Sequence, residues 1–161
     1  MPEVFVGLGS NIEPERHLRW ALAALERRFG PVRRSDVYRS PPFGFDGPDF
    51  LNLVVAFGAT AGIEAIEAAL SELESSRGRD GRQRAGSRTL DLDLLLYGAR
   101  VDARQRLPRA DVLRYPFVLV PLADLAPELV HPVTGVAIGA AREAAAAGAL
   151  ELRRVAALDA A

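Results

Sequence analysis

Asp91 and Asp93 stand two positions apart in Arg88-Thr89-Leu90-Asp91-Leu92-Asp93-Leu94-Leu95-Leu96-Tyr97, where apolar and acidic residues alternate. Period-two alternation predicts a strand with Leu90, Leu92 and Leu94 on one face and both carboxylates on the other. Along a strand these carboxylates are roughly 7 Å apart, near enough to share a hard-cation site. They add nothing to the strand itself, because Asp lowers β-propensity. Just upstream, Arg77, Arg79, Arg82, Arg84 and Arg88 are interleaved with Gly78, Gly81 and Gly86. The planar guanidinium fork suits bidentate recognition of phosphate. Carboxylates for Mg²⁺ beside arginines for phosphate predict a nucleotide-using phosphoryl-transfer site.

Composition narrows the classes around that site. A chain of 161 residues can bury a proper core and is most simply one domain, spanning residues 1–161. Its formal net charge of -1 gives no global pull towards nucleic acid or an anionic membrane. Cys is absent, which excludes disulfides, thiol chemistry and thiolate metal sites and fits a cytoplasmic protein. No apolar run reaches membrane-spanning length, and Met1-Pro2-Glu3 opens no signal peptide. Lys is absent too, so every one of the 20 basic side chains is Arg. Arg content therefore says little; Arg placement says more.

The elements that must carry the site follow from periodicity. Val4 to Gly9 reads as a first strand, followed by a helix with Leu18, Ala21, Leu22, Leu25 and Phe29 on one face. Gly30-Pro31 ends that helix. Val32 to Arg39 reads as a second strand, leading into the turn-rich loop Ser40-Pro41-Pro42-Phe43-Gly44-Phe45-Asp46-Gly47-Pro48. Phe50 to Ala59 reads as a third strand, and Ile63, Ile66, Leu70 and Leu73 mark a second helix. After the Asp strand come an apolar segment from Phe117 to Leu122 and a short helix near Asp124. An Ala-rich helix from about Ile138 to Ala147 and a last strand from Leu150 to Val155 finish the chain. This order predicts an α+β, ferredoxin-like βαββαβ sandwich: an antiparallel sheet with helices packed on it, plus a C-terminal extension. One sheet edge would then gather the Pro-rich loop, the Arg segment and the Asp strand.

At this point the chain resembles the 6-hydroxymethyl-7,8-dihydropterin pyrophosphokinase family of folate biosynthesis. The matching residues are Gly7-Leu8-Gly9-Ser10-Asn11, Tyr38-Arg39-Ser40-Pro41-Pro42-Phe43-Gly44 and Pro48-Asp49-Phe50-Leu51-Asn52. Glu74, Gly78-Arg79 and Ser87-Arg88-Thr89-Leu90-Asp91-Leu92-Asp93 continue the match. Phe117-Val118-Leu119, Pro121-Leu122 and Leu125-Ala126-Pro127-Glu128-Leu129-Val130-His131-Pro132 complete it. Each motif is weak alone; in this order, along nearly the whole chain, they are specific.

The resemblance implies transfer of pyrophosphate from ATP to the pterin hydroxymethyl group, with release of AMP. It implies two Mg²⁺ ions on Asp91 and Asp93, and a phosphate clamp from Arg79, Arg88 and either Arg82 or Arg84. Arg106 (or Arg104), Arg109 and Arg114 would face the nucleotide. Ser40, Pro41, Phe43, Phe50, Asn52 and Phe117 would hold the pterin, the rings by stacking and Asn52 by pairing with the amide-like edge. The implied partners are these two small molecules, with no nucleic acid, membrane or obligate protein partner.

The chain also departs from the family. Ala85 stands where a loop Trp is usual, and Ser87 replaces a Pro. Arg109 takes the place of a His, and Tyr115 that of a nucleotide-facing Arg, with Arg114 adjacent. Arg109 could carry permanent charge to the same phosphate oxygens, which predicts a site re-equipped and not emptied. A relative that binds pterin or nucleotide without catalysis is the alternative, and the intact Asp pair argues against it. An RNA-binding ferredoxin-like domain is the third reading, weakened by the neutral charge and by the lack of a base-stacking aromatic pair on the sheet. His17 and His131 are expected to be structural or exposed, and Trp20 to pack on its helix.

Overall fold

Residues 1–78, 86–145, 152–155 and 158 are described by the computed structural model of the protein. Two long strands form the middle of its sheet: β1 (Glu3–Ser10) and β4 (Phe50–Gly58), antiparallel from Glu3↔Gly58 to Ser10↔Leu51. Between them in sequence come α1 (Pro14–Phe29) and two short strands, β2 (Arg33–Arg34) and β3 (Val37–Ser40). Pro at the start of α1 costs no helical hydrogen bond, and Gly30 closes the helix at φ 86° with its N–H on Glu26 O, 2.9 Å.

The single strand expected from Val32 to Arg39 is split. Ser35 interrupts it: its N–H donates to Val54 O and its Oγ accepts from Val54 N–H, both at 2.9 Å. Both halves still pair with β4. Helix α2 (Ile63–Ser76) then leads to the Asp strand, β5 (Asp91–Tyr97). The sheet order is β5-β1-β4-β3-β6, with β2 also on β4 and β6 spanning Arg153–Val155. All its pairings are antiparallel. Without β6 the order is the ferredoxin-like one expected.

Alternation places two different cores on the two sheet faces. Val4, Val6, Leu8, Leu53, Val55, Leu90, Leu92 and Leu94 pack with α1 and α2. Phe5, Val54, Ala56, Leu95 and Leu96 pack on the other side with α3 (Asp111–Arg114), α4 (Pro116–Leu125) and α5 (Ile138–Ala144). The apolar Phe117 to Leu122 segment and the short helix near Asp124 are one helix. The C-terminal part of the chain thus covers the face that a two-layer sandwich would leave open. Among the described residues no helix is long and apolar enough to cross a membrane.

Candidate active site

The second sheet face changes character along its length. Towards one end it presents Phe5, Val54 and Ala56 to the core; towards the other, Gly7 and Gly9 of β1 present no side chain. Across the strands, Gly9 is opposite Asp91 on one side and Asn52 on the other, while Gly7 is opposite Asp93 and Val54. The glycines leave a trough between the two carboxylates and Asn52. A Cβ on Gly9 would come within 2.6 Å of Asn52 Oδ1, so only glycine lets that amide lie where it does. Both aspartates are on the face opposite Leu90, Leu92 and Leu94, as the alternation predicts.

Above the trough is a cavity of about 430 Å³. Ser40, Pro41, Phe43, Phe50, Asn52, Phe117, Arg88, Asp91 and Asp93 all line it, together with Phe45, Asp111 and Tyr115. Its walls are aromatic. Phe45 meets Phe50 edge to face at 6.2 Å, and Tyr115 stacks on Phe117 at 5.0 Å and 17°. Flat walls over a floor bearing an amide and two carboxylates suit a planar heterocycle with a polar edge.

A second cavity of about 240 Å³ lies on the other side of Asp93. It carries Arg104, Arg106 and Arg109 opposite Glu67 and Glu74. The Arg109 N–H donates to Leu95 O at 2.9 Å, which fastens the residue to the outer edge of β5. Its guanidinium is 3.4 Å from Asp93 and 3.3 Å from Asp111. Burial opposes its charge, but Asp93 and Asp111 outweigh burial and raise its pKa above the ordinary value. Arg88 is 3.9 Å from Asp91. Each metal-ligand candidate therefore has an arginine beside it.

Two side chains and a glycine hold these parts in place. Asn11 Nδ2 donates to Pro48 O (3.2 Å) and Ser87 Oγ (3.3 Å), while Asn11 Oδ1 accepts the Arg88 N–H at 2.8 Å. It binds the end of the Pro-rich loop to the start of the Asp strand. Gly86, at φ 85°, lies so close under the Phe45 ring that a Cβ would sit 2.6 Å from it. Glu74 Oε2 accepts the Leu92 N–H at 2.9 Å, covering the outer edge of β5 with a carboxylate.

The sequence from residue 5 to 127 matches the family model described as 7,8-dihydro-6-hydroxymethylpterin-pyrophosphokinase. The chain belongs to this family. Relatives named 2-amino-4-hydroxy-6-hydroxymethyldihydropteridine pyrophosphokinase include that of Pseudomonas aeruginosa, 42% identical over 138 residues (80% of this chain, 83% of that protein). That of a Synechocystis strain is 40% identical over 135 residues, 81% of this chain and 69% of that protein. In fold, the chain is similar to a solved HPPK-DHPS in complex with substrates, at a TM-score of 0.79 and 11% identity. That likeness covers 95% of this chain and 46% of the solved one. The Plasmodium falciparum wild-type HPPK-DHPS gives a TM-score of 0.76 at 11% identity, over 95% of this chain and 48% of that one. The chain thus spans about half the length of the solved chains it matches.

Of the residues that the pyrophosphokinase resemblance singles out, most converge on the two cavities. Arg114 is exposed and lines neither; its guanidinium lies 5.4 Å from the Tyr115 ring centre. Arg79, Arg82 and Arg84, with Ala85, lie outside the described residues. Ser87 receives a hydrogen bond from Asn11. The sequence reading missed Phe45, Asp111 and Tyr115 as cavity walls. Phe45 had a faint signal, two residues beyond Phe43 in the Pro-rich loop; Asp111 had none. His17 and His131 are structural: His17 Nδ1 accepts from Arg77 Nε at 3.1 Å, and His131 Nδ1 from the Val133 and Thr134 N–H groups at 3.2 Å. Trp20 packs against the first core, with Arg77 4.6 Å from its ring centre.

The donor set fits magnesium. Among the described residues no group of three or more His, Cys, Asp or Glu is poised around one ion. Mg²⁺ is commonly held by one or two carboxylates, with phosphate oxygens and water supplying the rest. Asp91 and Asp93 provide that pair.

Proposed function

We propose that the protein transfers pyrophosphate from ATP to the hydroxymethyl group of 6-hydroxymethyl-7,8-dihydropterin, releasing AMP, in a Mg²⁺-dependent reaction of folate biosynthesis. The observation that carries this reading is the position of Asp93, which borders both an aromatic, amide-floored cavity and an arginine-lined one. The heterocycle takes the first cavity, with Asn52 pairing to its amide-like edge and Phe50 and Phe117 stacking on its faces. The triphosphate reaches into the second, where Arg104, Arg106 and Arg109 offer permanent charge. Arg88 completes the phosphate clamp, together with Arg79 and Arg82, which the resemblance assigns to it and which lie outside the described residues.

The pterin hydroxyl oxygen forms a bond to the β-phosphorus and gives up its proton to solvent, the bond from that phosphorus to the α–β bridging oxygen breaks, and AMP departs with that oxygen. Asp91 and Asp93 would hold the Mg²⁺, which supplies neutralisation of the phosphate charge. The protein needs no nucleophile for this; it must hold two substrates in line and exclude water. The aromatic walls do the excluding, and the arginines stabilise charge on the departing phosphate.

The reading is tested by measuring AMP formed from ATP with 6-hydroxymethyl-7,8-dihydropterin and Mg²⁺, beside the Asp91→Ala/Asp93→Ala protein. Pterin-dependent AMP that disappears in the double variant is the expected result. Binding of both substrates with no AMP would establish a non-catalytic relative and refute the proposal.

A further inference from the structure

Tyr115 stands where two helices meet. Its N–H donates to Asp111 O at 3.1 Å and closes α3, while its carbonyl accepts from Val118 and Leu119 at 3.0 and 2.9 Å and opens α4. Pro116, first residue of α4, restricts its predecessor to extended backbone, and Tyr115 has φ -118° and ψ 124°. The backbone is pinned from both sides, which restricts where the ring can go. That ring stacks on Phe117 and meets Phe43 edge-on at 5.6 Å and 65°. All three rings line the larger cavity.

Phe43 is 74% exposed on a loop rich in Pro and Gly, so its own surroundings hold it weakly. Tyr115 is the ring it meets. Phe117, only half-buried, has a face covered by the same Tyr115 ring. One residue thus orients a ring from the α3–α4 junction and a ring from the Pro-rich loop. A cation at this position would serve phosphate; an aromatic ring cannot, and Arg114 beside it lies against the Tyr115 ring. We propose that Tyr115 is a positioning residue that sets affinity for the flat heterocyclic substrate through Phe117 and Phe43, and that its position serves the heterocycle and not the nucleotide. The proposal rests on the pterin reading of the larger cavity.

Calorimetric titration separates the two claims. Wild-type protein, Tyr115→Phe, Tyr115→Leu and Phe43→Leu are titrated first with Mg²⁺ and an ATP analogue carrying methylene between the α and β phosphorus atoms. The analogue-saturated proteins are then titrated with 6-hydroxymethyl-7,8-dihydropterin. Expected are wild-type behaviour for Tyr115→Phe, and a loss of about three- to tenfold in pterin affinity for Tyr115→Leu with analogue affinity unchanged. Phe43→Leu, whose exposed side chain leaves the fold intact, should weaken pterin in the wild-type background and have little effect when added to Tyr115→Leu. Pterin affinity untouched by Tyr115→Leu or by Phe43→Leu, or a loss shared equally with the analogue, overturns the role of Tyr115. A wild-type protein that takes the analogue and no pterin overturns the pterin reading itself, and this inference with it.

Discussion

At the scale of single residues, Arg109 stands where the family resemblance leads the sequence to be read for a histidine. Its guanidinium touches Asp93 and Asp111 together, so its charge is already committed to the acidic floor before any phosphate arrives. A histidine there would titrate near neutral pH; an arginine does not. Arg109→Ala should therefore raise the KM for ATP about tenfold, from loss of a charged hydrogen bond, and a steady-state series with ATP varied checks this. An unchanged KM would mean that the arginine only balances Asp93. For Asp91→Ala and Asp93→Ala taken singly, AMP formation should fall by about a hundredfold or more, since the charge on the transferring group loses its counterweight.

At the scale of elements, two glycines in β1 decide where the cavity can be. Gly9→Ala would push a methyl into Asn52 Oδ1, and the strand conformation itself would accept the change. Pterin affinity should drop about tenfold, with the overpacking costing about 1–3 kcal/mol of stability; calorimetry and a urea melt measure the two effects separately. Both histidines act at element ends, His17 on α1 and His131 in the turn before α5. Burial, then the charge of Arg77, lowers the pKa of His17; burial lowers that of His131. The unfolded chain, at the ordinary value of 6.5, binds protons first, so this stability is whole above 6.5 and is lost as pH falls below it. Urea midpoints should decline as pH falls below about 6.5, and the decline should be shallower in His17→Gln/His131→Asn. An identical slope in that double variant would assign the loss to other groups.

At the scale of the whole molecule, one sheet serves two cores. Leu53 belongs to the core under α1 and α2, and Leu122 to the one under α4. Both are 0–1% exposed, so Leu53→Ala and Leu122→Ala should each cost about 2–5 kcal/mol. Because the strands are shared, each variant should still unfold in a single transition when followed by circular dichroism and by Trp20 fluorescence. Two separate transitions for Leu122→Ala would show that the C-terminal layer folds on its own. Tyr115 and Phe117 of the aromatic wall belong to that layer, so its stability and the shape of the cavity are linked.

The sequence by itself determined the strand faces and the nature of the chemistry. Alternation in Leu90 to Leu94 places the aspartates on one face wherever the strand lies, because side-chain period is a local property of extended backbone. Strand order, too, was legible, since βαββαβ connections leave few antiparallel solutions. What only the tertiary structure decided was which distant side chains meet. The opposition of Asp91, Gly9 and Asn52 depends on the register of three strands far apart in sequence. The split at Ser35 depends on a hydrogen-bonding partner in β4. In the sequence alone, Tyr115 marks only the place of an expected arginine. Its ring found Phe117 and Phe43 because α4 packs on β4 and brings the helix junction over the Pro-rich loop, a contact no local pattern encodes.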